Sequence, residues 1–332
     1  MTTRPFSIAR EPVPANFALA DLAPLYADFE LGRYCADWTM PKAGARAVEA
    51  KALLALVSRP NAVTFTARLR DDASAIVGVL TAQKSDWDTK FWGIAYASID
   101  QLHAIGETEE AREDIQVALL EAFDTWLAEE KMRFANARVF VHDLAAVHAL
   151  ERRGYRYIET TLVNCLDIRK ESFALPEGYV IRAPREDETA SLVAMTKDAF
   201  VTHRFYADPG FPRAKVDEMY EKWVESSLTS PAWTTIVLDR EGAAKGFFIY
   251  RIEDHREDLG VKLTKWRMGV LGGDDRAKGH GIPLFQGAMQ YVKGDTDIVD
   301  SGLSLRNTKS FNLHTKLGFR GLTFSSTYHK WL

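Results

Sequence analysis

The order of its apolar runs is what most constrains this chain. In the first half, "AVTFTARLRDDASAIVGVLTAQ" reads as a hairpin and "GIAYASIDQLHAI" as a strand. "EEAREDIQVALLEAFDTWLAEEK" is a long helix with Ile115, Leu119, Ala122 and Trp126 on one face. "FANARVFVH" is a strand, and "DLAAVHALERRGYRYIE" is a helix ending at Gly154, followed by an aromatic strand. The second half repeats that order: a hairpin, the strand "LTKWRMGVL", a helix, the strand "TDIVDSGLSL", a helix ending at Gly318 and the closing strand "FSSTYHKWL". The pattern recurs although the residues do not, so we read two copies of one α/β unit.

The seam falls in "DIRKESFALPEGYVIRAPREDE", residues 167–188. Charges, a proline and a glycine lead there into a short strand, Tyr179 to Arg182. Asp187 or Thr189 then caps a helix with the stripe Leu192, Met195 and Ala199. We place one domain over 1–170 and a second over 171–332. A chain of 332 residues suits two domains, and with 46% apolar residues each half can bury a core.

The net charge is −4, which gives no basic footprint for nucleic acid or an anionic membrane. Any anion site must be local. The two cysteines, Cys35 and Cys165, form neither a disulfide framework nor a CxxC pair and read as buried free thiols. The N-terminus has no apolar signal core, and no run approaches the ~20 apolar residues of a membrane span. A cytoplasmic protein is expected. No histidine pair has HExxH spacing, so no metal is implied.

The polar stretch "GGDDRAKGHG" stands between a strand and the helix of Ile282, Phe285, Met289 and Val292. A loop entering a helix presents unpaired N–H groups at the positive end of the helix dipole. Gly279 and Gly281 would let the backbone approach a pyrophosphate, while Arg276 and Lys278 add mobile positive charge. The spacing fits neither a Walker loop nor a dinucleotide loop. Taken alone, the stretch reads equally as a solvated basic turn.

Strand, Arg276-x-x-Gly279-x-Gly281 and helix, then Asn307 and a helix ending in "LGF", together resemble the GNAT superfamily of acyl-CoA-dependent N-acyltransferases. The resemblance covers residues from about 170 to 332. It implies an α/β fold of two GNAT-like domains, each a mixed, largely antiparallel sheet flanked by helices. Acetyl-CoA is the implied cosubstrate. The backbone of Met268, Gly269, Val270 and Leu271 would hold its pantetheine and acyl carbonyl. Arg276, Ala277, Lys278, Gly279, His280, Gly281 and Ile282 would hold its phosphates, with Asn307 beside them. His280 itself reads as exposed. The N-terminal domain has "AIGETEEARED" at 104–114 in place of this loop, and its carboxylates would repel a pyrophosphate.

A narrower resemblance, to bacterial dTDP-fucosamine acetyltransferases, rests on "SDWDTKFWGI", on "HRFYADPGFPRAKVDEMYEKWVESSL" and on the terminal "YHKWL". It implies a nucleotide-linked amino sugar as acceptor, contacted by His203, Arg204, Phe205, Tyr206 and Asp208. The alternatives are another small amine, a peptide, or an acyl-CoA sensor without catalysis. A homodimer is left open. Candidate bases are Asp208, His203, Tyr206, Glu253 and His255. His314 stands where many GNAT enzymes carry the tyrosine that serves as acid for the leaving thiolate. The catalytic assignment is His314 with Asp208.

Overall fold

A computed structural model describes residues 4–35, 37, 39–273, 276 and 278–332. Ala277, expected in the phosphate loop, lies outside the described residues. Backbone contacts divide the chain into two compact units, 1–160 with 323–332, and 161–322.

The strands of the first half are β1 (Phe6–Arg10), β2 (Ala62–Leu69), β3 (Ile76–Lys84), β4 (Tyr96–Ala104), β5 (Phe134–Phe140) and β6 (Arg156–Asp167). Those of the second half are β7 (Tyr179–Arg182), β8 (Thr234–Arg240), β9 (Ala243–His255), β10 (Val261–Leu271), β11 (Ile298–Ser304) and β12 (Arg320–Trp331). The first unit's sheet runs β1-β2-β3-β4-β5-β12 and the second unit's β6-β11-β10-β9-β8-β7. In each unit the pairing is antiparallel except for one parallel pair, β4 with β5 and β10 with β11.

The last strand of each half is exchanged. β6 follows β5 in sequence, yet residues 161–167 pair with β11. β12 follows β11, yet residues 325–331 pair with β5. The units therefore differ from a single cut at 170/171 in two segments. Residues 161–170 belong with the second unit, and residues 323–332 with the first.

In the first unit, the Glu109–Glu129 helix starts at Thr108, whose side chain accepts from Ala111 N at 3.1 Å. It buries Ile115, Leu119, Phe123 and Trp126 against Val63, Phe65, Leu80 and Ile99, with Ala122 partly buried beside them. In the second unit, the Gly281–Val292 helix lays Leu284, Phe285, Met289 and Val292 on Phe248, Trp266 and Val299. These are the helical spacings expected from the sequence.

One helix is shorter than expected. The one opened at Thr189 stops at Ala194. The carbonyls of Met195 and Lys197 turn instead to the Arg276 guanidinium, at 2.8 and 2.7 Å. Asp198 is left-handed, with φ 55°.

Candidate active site

The second unit opens where β10 and β11 part. Their parallel register runs from Leu263↔Ile298 to Trp266↔Ser301 and ends there, although β10 continues to Leu271 and β11 to Ser304. Beyond that rung β10 keeps its partner on the other edge, β9, from Met268↔Ile249 to Leu271↔Gly246. Gly272 N donates to Lys245 O at 3.0 Å. Antiparallel residues alternate in direction, so Gly269 and Leu271 turn their N–H and C=O groups away from β9 into the opening. Of the four backbone positions expected to hold the pantetheine and acyl carbonyl, Gly269 and Leu271 thus face the opening, while Met268 and Val270 face β9.

Two close approaches build that edge. A Cβ on Gly246 would stand 2.4 Å from Val270 O, and one on Gly269 would stand 2.2 Å from the Phe248 ring. Only glycine fits either place.

The polar turn follows directly. Arg276 is not mobile, as the sequence reading had it. Its Nε donates to Leu271 O at 3.2 Å and its Nη2 to the Met195 and Lys197 carbonyls. It pins the turn between the end of β10 and the 195–197 segment. Lys278 is exposed. Gly279 has φ 87°, a conformation that costs an L residue roughly 1 kcal/mol or more. Gly281 opens the helix, and among the described residues a Cβ there would touch only Leu313, at 3.4 Å. Ile282 follows, half-buried. His280, expected to be exposed, is buried, with its Nδ1 2.7 Å from the Tyr179 hydroxyl. β7 covers it, so the turn presents backbone rather than imidazole.

His314 also points inward. It is 2% exposed, between the rings of Phe285 and Phe319 at 4.9 and 4.8 Å. Nδ1 lies 2.7 Å from Ser310 O, and Nε2 lies 2.8 Å from Ser301 Oγ. A carbonyl only accepts, so Nδ1 carries the proton and Nε2 accepts from the Ser301 hydroxyl. Burial depresses the imidazole's pKa below 6.5. His314 is thus neutral at pH 7, with its one proton committed to a helix carbonyl, and it holds Ser301 at the last paired rung. Asn307 caps this helix, its Oδ1 accepting from Ser310 N at 3.1 Å.

The 203–208 segment is tied to the end of β11, where Ser304 Oγ donates to Thr202 O at 3.2 Å. Its side chains divide. Phe205 is buried, edge-on to Phe211 at 5.0 Å, and belongs to the core. Asp208 is buried and accepts from Gly210 N at 2.9 Å, which closes the proline–glycine turn. Arg204 lies over Phe205 at 4.7 Å, and His203 meets Tyr220 edge-on at 5.7 Å. The Tyr206 hydroxyl donates to Asp217, and burial together with that bond pushes its pKa above 10. Elsewhere, Glu253 accepts from Arg251 at 2.8 Å and from Lys265 at 2.6 Å, with His255 3.2 Å away. Burial alone would raise its pKa, but these cationic partners hold it far below the usual carboxylate range. That makes it a weak base.

Sequence reasoning missed Arg267, whose guanidinium lies 4.7 Å from the Trp233 ring centroid. The signal was available: "KWRMG" places a charge within an apolar strand.

The first unit has the same opening, filled by its own chain. β4 and β5 pair in parallel only from Tyr96↔Phe134 to Ile99↔Ala137, then continue apart. Leu22, Leu25, Tyr26 and Phe29 are all buried, and this segment lies against the opening. His103 Nε2 bonds Leu25 O at 2.8 Å, and its ring stacks on Tyr26 at 5.2 Å. The space left, about 30 Å³, is lined by Phe29, His103, Arg138 and Asp143 among others.

No family model matches the chain. It is 22% identical over 258 residues to the spore coat polysaccharide biosynthesis protein SpsD of Bacillus subtilis (strain 168), spanning 78% of this chain and 85% of that protein. A tandem GNAT protein from the clavulanic acid biosynthesis pathway superposes with TM-score 0.58 at 14% identity, over 98% of each chain. The GCN5-related glucosamine N-acetyltransferase region of a fungal multi-domain β-N-acetylglucosaminidase gives TM-score 0.64 at 14% identity, over 99% of this chain and 38% of that one. Among the described residues, no helix is long and apolar enough to cross a membrane. The fold of this chain is that of the tandem GCN5-related N-acetyltransferases, as the two strand–turn–helix patterns of its sequence implied.

Proposed function

We propose that the second unit binds acetyl-CoA and passes its acetyl group directly to an amine, and that the amine belongs to a nucleotide-linked amino sugar. The observation that carries this reading is the free β10 edge leading from the Trp266–Ser301 rung into the turn of Gly279 and Gly281. The residues present fit the cosubstrate. Gly269 and Leu271 offer N–H groups to amide and acyl carbonyls. The helix start at Gly281 offers unpaired N–H groups and dipole to a diphosphate, with room beside its Cα. Arg276 keeps that turn in place. Acetyl-CoA, when bound, supplies an activated thioester.

The first unit does not serve as a second site in this reading. Its opening is occupied by residues 22–29, and Glu109 and Glu110 stand in the first turn of its helix, where an anion would otherwise sit. The amino-sugar acceptor is supported by the similarity to a glucosamine N-acetyltransferase region and, more coarsely, by that to a polysaccharide biosynthesis protein.

A sensor that binds acyl-CoA without turnover would share this geometry. Release of free CoA, measured with acetyl-CoA and a panel of nucleotide-linked amino sugars, separates the two. The proposal predicts acceptor-dependent release. A protein that binds acetyl-CoA and releases none with any amine would be the sensor.

A further inference from the structure

Arg267 stands in a bulge one residue beyond the last parallel rung. Pairing of β10 with β9 passes from Trp266↔Tyr250 to Met268↔Ile249 and leaves Arg267 with no residue opposite. A bulge re-aims the side chain it carries. Trp266 points to the face of the sheet that holds the glycine-turn helix, where it meets Phe285 at 5.1 Å. Arg267 points to the other face, towards Trp223 of the Arg213–Thr229 helix, at 6.0 Å, and Trp233 at 4.7 Å. Arg251 reaches the same Trp233 ring at 4.9 Å.

Two guanidinium groups thus converge on one indole. Glu253 holds Arg251, and Lys265 joins that carboxylate. Arg267 has no hydrogen bond or ion pair among the described residues; its packing on the two indoles is what places it. Arg267 is exposed, but partial desolvation of its guanidinium against the rings and the charge of Arg251 both make its cationic form less favourable. Glu253 is shared between Arg251 and Lys265, so with Arg267 the cluster carries more positive than negative charge, and an added anion would be attracted to it. Guanidinium pairs recognise phosphate oxygens bidentately, and indole faces stack on flat rings.

We propose that Arg267 and Arg251, above Trp223 and Trp233, bind the diphosphate of the amine acceptor. The acceptor would then enter from the face of the sheet opposite the glycine-turn helix. This rests on the acyl-transfer reading and narrows its substrate to nucleoside-diphosphate-linked amines.

The test uses the full-length protein in two measurements. In the first, dTDP is titrated into wild type and into Arg267→Gln, both with CoA saturating so that the glycine turn is already filled. Saturable binding to wild type, weakened about tenfold or more in Arg267→Gln, is expected for the loss of a charge-assisted phosphate contact. Thermal melting of both proteins confirms that the variant is folded; if it is not, Arg267→Lys, which keeps the charge but not the fork, is used and should bind more weakly than wild type. In the second, initial rates are compared for a dTDP-linked 4-amino-4,6-dideoxyhexose and for the methyl glycoside of the same amino sugar. Arg267→Gln should raise KM for the dTDP-linked acceptor about tenfold, with kcat and the acetyl-CoA KM nearly unchanged, and leave the methyl glycoside unaffected. If neither acceptor is acetylated while dTDP still binds through Arg267, the acyl-transfer reading fails and the anion subsite stands. Absence of dTDP binding, or equal binding to both folded proteins, overturns the subsite.

Discussion

Trp266 and Ser301 form the last parallel rung between β10 and β11, and the hydroxyl of Ser301 is fastened there to His314, 2.8 Å away. The rung sets where the two strands part. His314 therefore acts on the opening through Ser301 rather than by facing it.

Replacing His314 should consequently affect stability more than chemistry. His314→Phe leaves the Ser301 hydroxyl without its acceptor, at a cost of about 1–3 kcal/mol. A fall of several degrees in melting temperature is expected, with kcat reduced less than tenfold, short of the ~10²-fold typical of a lost general acid. A hundredfold fall in kcat with unchanged melting would return His314 to the role of acid.

The buried histidines also give the fold a pH dependence. Burial depresses the pKa of His314 and of His103 below 6.5. The unfolded chain takes up their protons first as pH falls, so their neutral folded forms are at no disadvantage above about pH 6.5 and become a penalty below it. Melting temperature should be level near pH 7–8 in respect of these groups and decline below about pH 6.5. His314→Phe should shrink that decline relative to its own value at pH 7.5. An identical acid-side slope in wild type and variant would remove His314 from this account.

Transfer without an acyl-enzyme predicts that the cysteines are dispensable. Cys35 and Cys165 are both buried and outside any disulfide, and burial pushes the Cys35 thiol up, away from the thiolate form. The Cys35→Ser, Cys165→Ser protein should keep at least half of wild-type turnover. Ping-pong kinetics, or an acetylated cysteine in intact-protein mass spectrometry, would contradict direct transfer.

The strand exchange makes each half of the sequence incomplete. A fragment ending at residue 170 lacks β12, the partner of β5, and with it the rings of His329 and Trp331 against Phe134 at 4.9 and 4.8 Å. It should not melt cooperatively alone, and adding a peptide of residues 320–332 should restore a transition. A cooperative transition in the unaided fragment would show that β12 is not needed.

The elements were largely legible in the sequence, because apolar spacing reports the faces of helices and strands directly. The Ile115–Leu119 stripe and the Phe285–Met289 stripe both lie where their spacing put them. Strand partners were not legible. "FSSTYHKWL" announces a strand, but nothing in its alternation selects β5. The glycine turn was readable from backbone demands, whereas the direction of its side chains was not. His280 is covered by Tyr179, 101 positions away in sequence, and Arg276 is drawn to carbonyls about 80 positions away. Contacts at that range leave no local pattern. Asp208 was one of several candidate bases in a polar and aromatic segment before a proline turn; its carboxylate accepts from Gly210 N within that turn.

The central claim is that the turn at Gly279–Gly281 receives the phosphates of acetyl-CoA, and Gly281→Asp tests it most directly. Among the described residues a Cβ at 281 meets only Leu313, at the ordinary contact distance of 3.4 Å, so the substitution can be accommodated there while placing a carboxylate at the start of the helix. Acetyl-CoA is titrated by calorimetry into wild type and into the variant, after thermal melting has shown both to be folded. The account predicts binding to wild type and a loss of affinity of about a hundredfold or more in Gly281→Asp, the scale of a desolvated like-charge clash. Equal affinity in the two folded proteins would contradict it.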